Sequence, residues 1–407
     1  MHGFDQLPMR PFQGRLGGDV GFGGRCPRLL YESPSGDFQV RPGDGVRGQC
    51  IQRRSIITYN TDYNIIENDY VRDILDEPRA LEATLGGLGV PGGLPLILRR
   101  LEGGELRRVV LTGMGSSFHA LYPLHALLTS RGFTTVMAET SELVYYLPRL
   151  FDCQTLIVAV SQSGRSVEIV RLLHENARRA PIIAVTNTDD SPLALQADSV
   201  FLTRAGQEFS VSCKTYVTAL VALRQLGSLL GNADPEETLA ELAQAAPAVR
   251  HYLDSWRAHV FELAACLEGV RHLFLIGRGG SLAAVGTGAL TIKESTHRHA
   301  EGMSSAAFRH GPIEMLSEET FVIVFAGDEK TRALNAKLFE DIRQKGGRAE
   351  LLGKDAELSS LRIPPVPESV LPILEILPVQ MLTLALAAQT GSEAGRFTLG
   401  AKVTTIE

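Results

Sequence analysis

From residue 108 onward the chain alternates short, continuous apolar runs with longer stretches of helical period. The first group of runs is Arg108-Val109-Val110-Leu111-Thr112, then Thr155-Leu156-Ile157-Val158-Ala159-Val160, then Pro181-Ile182-Ile183-Ala184-Val185-Thr186. A second group follows: Leu273-Phe274-Leu275-Ile276, Phe321-Val322-Ile323-Val324-Phe325 and Ala349-Glu350-Leu351-Leu352. Runs this short and uninterrupted, stopping at Gly113, Ser161 or Gly277, are strands buried on both faces. Helical patterns lie between and around them, at 74–101 (broken by Gly and Pro near 87–94), from Ser117, through His174, at 283–298 and at 330–345. A longer helical region, 235–268, separates the two groups. The pattern predicts the α/β class, as two doubly wound parallel-sheet units of like architecture and little shared lettering.

The first 54 residues are rich in Gly and Arg and hold no apolar period. Such a segment cannot bury enough surface to offset its ordering entropy. The expected organisation is a disordered extension over 1–70, units at 71–248 and 249–390, and a tail at 391–407. Val71-Arg72-Asp73-Ile74-Leu75-Asp76-Glu77-Pro78 reads as the start of a domain, so the stretch before it is also readable as lying outside the natural chain.

Composition narrows the class. A net charge of −6 with acids and bases interspersed argues against nucleic acid or an anionic membrane as partner. No uncharged apolar run reaches the roughly 18 residues that cross a bilayer. Five scattered cysteines without a Cys-x-x-Cys pair suggest neither a disulfide framework nor a zinc site, and point to a reducing cytoplasm.

In doubly wound sheets, ligands bind beyond the carboxyl ends of the strands, where helix N-termini aim their N–H groups outward. The run 155–160 delivers Ser161-Gln162-Ser163-Gly164-Arg165-Ser166 to that place. Its hydroxyls, carboxamide and glycine suit a phosphate monoester. A second hydroxyl-rich turn, Gly113-Met114-Gly115-Ser116-Ser117, ends the preceding strand. Gly277-Arg278-Gly279-Gly280-Ser281 lacks the Gly-x-Gly-x-x-Gly spacing of a dinucleotide loop, so no cofactor is expected. Lys293-Glu294 through Glu301 and Phe308-Arg309-His310-Gly311-Pro312 supply carboxylates and imidazoles of the kind proton transfer beside a carbonyl requires. His297, His299 and Glu301 do not share one helical face, and no metal is expected.

Together these loops resemble the sugar-isomerase (SIS) family. Within it, they resemble the isomerase half of the glutamine–fructose-6-phosphate aminotransferases, from about Val71 to Glu407. Ser-Gln-Ser-Gly-Arg-Ser, Thr203-Arg204-Ala205-Gly206-Gln207-Glu208, Lys293-Glu294, His299-Ala300-Glu301, His310-Gly311-Pro312 and the tail Ala401-Lys402-Val403-Thr404-Thr405-Ile406-Glu407 carry the likeness. The resemblance implies two flavodoxin-like three-layer SIS domains. It implies that Ser117, Ser161, Gln162, Ser163 and Ser166 bind the sugar phosphate, with Val211 as a backbone contact. It further implies Glu294 as the base between C1 and C2, Lys402 as the Schiff-base lysine, and His310 as a ring-opening residue supplied across a homodimer.

Three departures matter. Met1 is followed by His2 rather than the nucleophilic cysteine of a glutaminase half. Thr291 stands where the family's synthases carry a lysine, and Ser212-Cys213-Lys214-Thr215 alters the order after the contact valine. The expected activity is therefore isomerisation or deamination of an amino-sugar phosphate. Cleavage of a fructosamine 6-phosphate and non-catalytic sugar-phosphate sensing are the alternatives.

Overall fold

The computed structural model describes residues 63–404. The extension expected to be disordered therefore lies outside the described residues up to position 62, as do the last three residues of the tail. The folded chain reaches further back than Val71. A helix spans Asp69–Leu75, Asn68 caps it by accepting from the Tyr70 and Val71 amides, and Tyr70 is fully buried. The boundary expected at 70/71 thus cuts a helix, and the one at 248/249 cuts the helix Ala245–Leu253.

Two all-parallel sheets follow. In the first, β1 (Arg108–Gly113), β2 (Thr135–Glu139), β3 (Thr155–Val160), β4 (Ile182–Thr186) and β5 (Ser199–Leu202) take the order β2-β1-β3-β4-β5. In the second, β6 (His272–Gly277), β7 (Ala300–Ser304), β8 (Thr320–Phe325) and β9 (Arg348–Leu352) take the order β7-β6-β8-β9. All six expected strands are present. The three unexpected ones, β2, β5 and β7, are edge strands. Their partial burial breaks the continuous apolar run that marks an inner strand.

The two sheets share a core. Leu156, Val158 and Val160 of β3 turn into one large cluster, while Ile157 and Ala159 face a smaller outer one. In the second sheet Leu273 and Leu275 join the same large cluster, and Phe274 and Ile276 face a third. The middle is filled by the helices Lys214–Leu230, Leu282–Thr296 and Leu371–Thr390. The last is apolar on all sides, and 94% of its most apolar window is buried inside the protein. It is the one described helix long and apolar enough to cross a membrane by length and composition, and Glu375 interrupts it, so it is not an uncharged run. Its surroundings make it a core helix.

This core holds two buried carboxyls. Glu77, on the helix Glu77–Gly87, accepts from Gln380 Nε2 at 2.5 Å, and burial pushes it from an ordinary 4.5 up to about 8. Glu375 accepts from Ser281 Oγ at 2.8 Å and is likewise pushed to about 8 by burial. Between about pH 4.5 and 8 the folded state keeps protons that the unfolded state releases, so stability falls as pH rises through that window. Glu77→Gln removes its share. Relative to wild type the variant should gain stability from pH 5 to pH 8.5, on the order of a few kcal/mol, measured by urea unfolding at both values.

Candidate functional site

β1 and β3 lie side by side with Gly113 level with Val160, and the connections leave them in opposite directions around the sheet. This is the switch point of a doubly wound sheet, where a crevice opens. The loop after β1 enters the short helix Gly115–His119, and the loop after β3 enters the helix Val167–Asn176.

The second loop is held in shape from behind. The Gln162 carbonyl accepts from the Asn187 amide at 3.1 Å and from Thr186 and Thr188 hydroxyls at 3.3 Å each. Gly164 sits at φ +60°, and a Cβ there would lie 2.2 Å from Ser191 Oγ, so only glycine fits. Ser161 Oγ and Ser163 Oγ accept from the Gly164 and Arg165 amides. Among the described residues the Ser163 and Ser166 amides have no acceptor. Arg165 turns outward to Asp190 at 2.7 Å, so the loop offers the crevice neutral donors and a helix N-terminus.

The resulting cavity, about 310 Å³, is lined by Ser117, Ser161, Gln162, Ser163, Ser166, Glu294 and Lys402. Seven of the nine residues expected from the sequence therefore meet in one place. Glu294 comes from the second unit. On the helix Leu282–Thr296 it stands one turn beyond Leu290, and both reach the cavity. Burial lifts the Glu294 carboxyl above its ordinary value, and the charges of Lys402 and Lys293 pull it only part of the way back.

Two expected residues lie elsewhere. Val211 is 1% exposed with its side chain in the shared core, while its neighbours Ser210 and Ser212 line the cavity. His310 is exposed at the end of the helix Ser305–Arg309 and does not line the cavity of its own chain. Thr291 is buried at 3% exposure and also lies off the lining, since it projects from another side of the helix than Leu290 and Glu294.

One residue given no role from sequence proves central. Glu208, 6% exposed, accepts from the Cys213 amide (3.0 Å), the Thr215 amide (2.9 Å) and the Thr215 hydroxyl (2.7 Å). Its Oε2 also receives Lys402 Nζ at 2.7 Å, and the same ammonium donates to the Ser210 carbonyl at 2.5 Å. Glu208 appeared in the sequence only as the last letter of a matched motif. Glu168, in the first turn after the loop, adds a further carboxylate to the lining; its Oε2 is buried without a partner among the described residues.

The corresponding crevice of the second unit is built differently. Beyond β8 stands Asp328, capping the helix Glu329–Gln344 through the Thr331 amide, and the Ser281 hydroxyl is spent on buried Glu375. The Asp328 carboxylate there opposes an anion, so of the two switch points only the first presents a cup of neutral donors.

Glu208→Ala strands two buried amides and the Thr215 hydroxyl. It should destabilise the fold by about 1–3 kcal/mol in urea unfolding, whereas Lys402→Met, which removes only the partly exposed partner, should cost less.

Comparison with known proteins agrees with this geometry. The SIS domain profile matches residues 105–229 and 267–389, together more than half of the chain. A glutamine–fructose-6-phosphate aminotransferase (isomerizing) of Pyrococcus horikoshii is 30% identical over 356 residues, covering 84% of this chain and 58% of that protein. One from Streptomyces coelicolor is 29% identical over 364 residues, covering 83% and 58%. The chain thus spans less than two thirds of the length of these relatives. Among solved structures, the C-terminal domain of the Francisella tularensis glucosamine-fructose-6-phosphate aminotransferase superposes with a TM-score of 0.72 at 19% identity, covering 81% of this chain and 98% of that one. A glucosamine-6-phosphate deaminase from Thermotoga maritima gives 0.67 at 18%, covering 83% and 100%. At those identities the likeness is one of fold. A proposed phosphosugar isomerase from Silicibacter pomeroyi gives 0.68 at 27% identity, covering 80% and 99%. With two SIS matches laid over two parallel sheets, the chain belongs to the SIS (sugar isomerase) family.

Proposed function

We propose that the protein is an enzyme on hexosamine phosphates, isomerising or deaminating a substrate of the glucosamine 6-phosphate/fructose 6-phosphate class through an imine on Lys402. The observation that carries this reading is that Lys402 Nζ and the Glu294 carboxyl share one cavity with a cup of hydroxyls and amides. The cup, Ser161 to Ser166 with Ser117, anchors the phosphate. Lys402 attacks the ketose carbonyl once it sheds a proton, for which Glu208 is the adjacent acceptor, and the carbinolamine so formed expels its oxygen as water to give the imine. The imine acidifies the neighbouring C–H, and Glu294 carries the proton between C1 and C2. The family likeness further supports a cytoplasmic homodimer in which His310 serves the partner's cavity; its exposure and its distance from its own cavity fit that role.

A second reading is favoured by one feature. Space continues past Lys402 into a further cavity of about 520 Å³ lined by Asn187, Thr188, Arg204 and Gln207. A bulkier amine on the sugar would fit there, as in a fructosamine 6-phosphate.

Incubation with glucosamine 6-phosphate should release ammonia and fructose 6-phosphate, and Lys402→Ala should abolish it. Turnover of fructosamine 6-phosphates alone would select the second reading, and tight binding with no turnover of either would reject both. Ser163→Ala should weaken sugar-phosphate binding by about 1–2 kcal/mol in calorimetry. The base form of Glu294 is the working one, so the acid limb of kcat/KM should lie above the ordinary carboxylate range. Lys293→Met removes a charge that lowers Glu294, and should move that limb to higher pH at low salt and less at high salt.

A further inference from the structure

We propose that Asp73, neutralised by Lys214, is the positioning residue for Lys402. Asp73 lies on the helix Asp69–Leu75, ahead of the first SIS match, and is not itself part of the cavity lining, which it meets only through the Ser210 amide. Its Oδ2 accepts from the amides of Phe209 (2.7 Å) and Ser210 (3.3 Å), and its Oδ1 stands 3.1 Å from Lys214 Nζ. Lys214 also pairs with Asp76 at 3.0 Å. The Asp73 and Lys214 side chains are 3% and 4% exposed.

Removing two charges from water costs several kcal/mol per ion unless each is paired and hydrogen-bonded. Here the pair is fully engaged, and what it engages is the segment that holds Lys402. Ser210 gives its N–H to Asp73 and its carbonyl to Lys402. Glu208, two residues earlier, is fixed by the amides of Cys213 and Thr215, which flank Lys214. Both acceptors of the Lys402 ammonium are therefore set by one buried unit: Asp73 from the N-terminal helix and the first turn of Lys214–Leu230. An error of about 1 Å in the placement of a reacting group costs about a hundredfold in rate, so this unit carries the aim of the lysine without meeting substrate.

The proposal rests on Lys402 being the reactive amine, and the test separates the two. In the full chain carrying Asp73→Asn, Lys402 acetylation by acetic anhydride is measured by peptide mass relative to exposed Lys345. Turnover, KM and affinity for inorganic phosphate are measured alongside. The loosened clamp should raise relative Lys402 labelling severalfold and lower kcat about tenfold or more, with KM and phosphate affinity within about twofold. Unchanged labelling and kcat overturn the proposal. A proportional loss of kcat, phosphate affinity and thermal stability also overturns it, since that is what a merely structural residue would give. Altered labelling in a protein whose wild type forms no borohydride-trapped adduct on Lys402 leaves the positioning intact and defeats the imine reading instead. If Asp73→Asn does not fold, Asp73→Asn with Lys214→Gln removes the buried charges as a pair, and the same measurements apply.

Discussion

The shared apolar core is the constraint from which the rest follows. Each sheet turns alternate positions inward, Leu156, Val158 and Val160 from β3 and Leu273 and Leu275 from β6, into one cluster. Because the side-chain period of a strand is two, a slip of one residue in either sheet would turn that set outward and break the joint. The second unit's helix Leu282–Thr296 is thereby pressed onto the first unit's short helix Gly115–His119, so closely that a Cβ on Gly115 would stand 3.3 Å from Leu290. Glu294 reaches the phosphate cup by this route. Neither unit alone contains the cavity, and the packing that stabilises the fold is also what assembles the chemistry.

A duplicated architecture does not imply a duplicated site. Both sheets have a switch point, but the loops there differ in charge. Beyond β3 the loop is neutral, with its one guanidinium turned away to Asp190. Beyond β8 it is acidic, and the buried Glu375 beneath it consumes the nearest hydroxyl. The carboxylate that the second unit does contribute, Glu294, stands on the far side of its helix layer, aimed at its neighbour's cup. The cavity therefore takes its neutral donors from one half and this carboxylate from the other.

Much of this could be read from the letters, for physical reasons that also explain the remainder. Inner strands such as 155–160 and 321–325 announce themselves because burial on both faces demands an unbroken apolar run. β2, β5 and β7 do not, because these edge strands are largely half wet, whereas the edge strand β9 still ends in the apolar pair Leu351-Leu352. The helix Lys214–Leu230 and the helix Leu371–Thr390 escaped notice because total burial erases the 3.6-residue period that identifies a helix. The phosphate loop was legible because hydroxyls, Gly164 and the end of a strand coincide within a few residues. Asp73 and Glu208 were not, because their meaning lies in contacts made across 136 residues and 194 residues of chain. His310 and Val211 were placed by likeness to other sequences, the one as a residue supplied across a homodimer and the other as a backbone contact, so neither side chain was expected in the cavity of its own chain.

The same contacts tie the two ends of the described chain together around Lys402. Asn68 donates to the Ala394 carbonyl at 2.7 Å, the Ser210 hydroxyl to the Gly395 carbonyl at 2.6 Å, and the Val167 amide to the Thr404 carbonyl at 3.1 Å. Between these anchors, residues 396–401 make no backbone hydrogen bond among the described residues, and Leu399 is wholly exposed. On the proposed imine reading, Lys402 has to leave its carboxylate, reach a carbonyl carbon and return. A fully packed tail would forbid the movement, and a free one would lose the direction. Pinning 394–395 and 404 while leaving the main chain of 396–401 without backbone hydrogen bonds confines the excursion to one short loop. Its end points are then set by the phosphate cup on one side and by the clamp of Glu208 and Ser210 on the other.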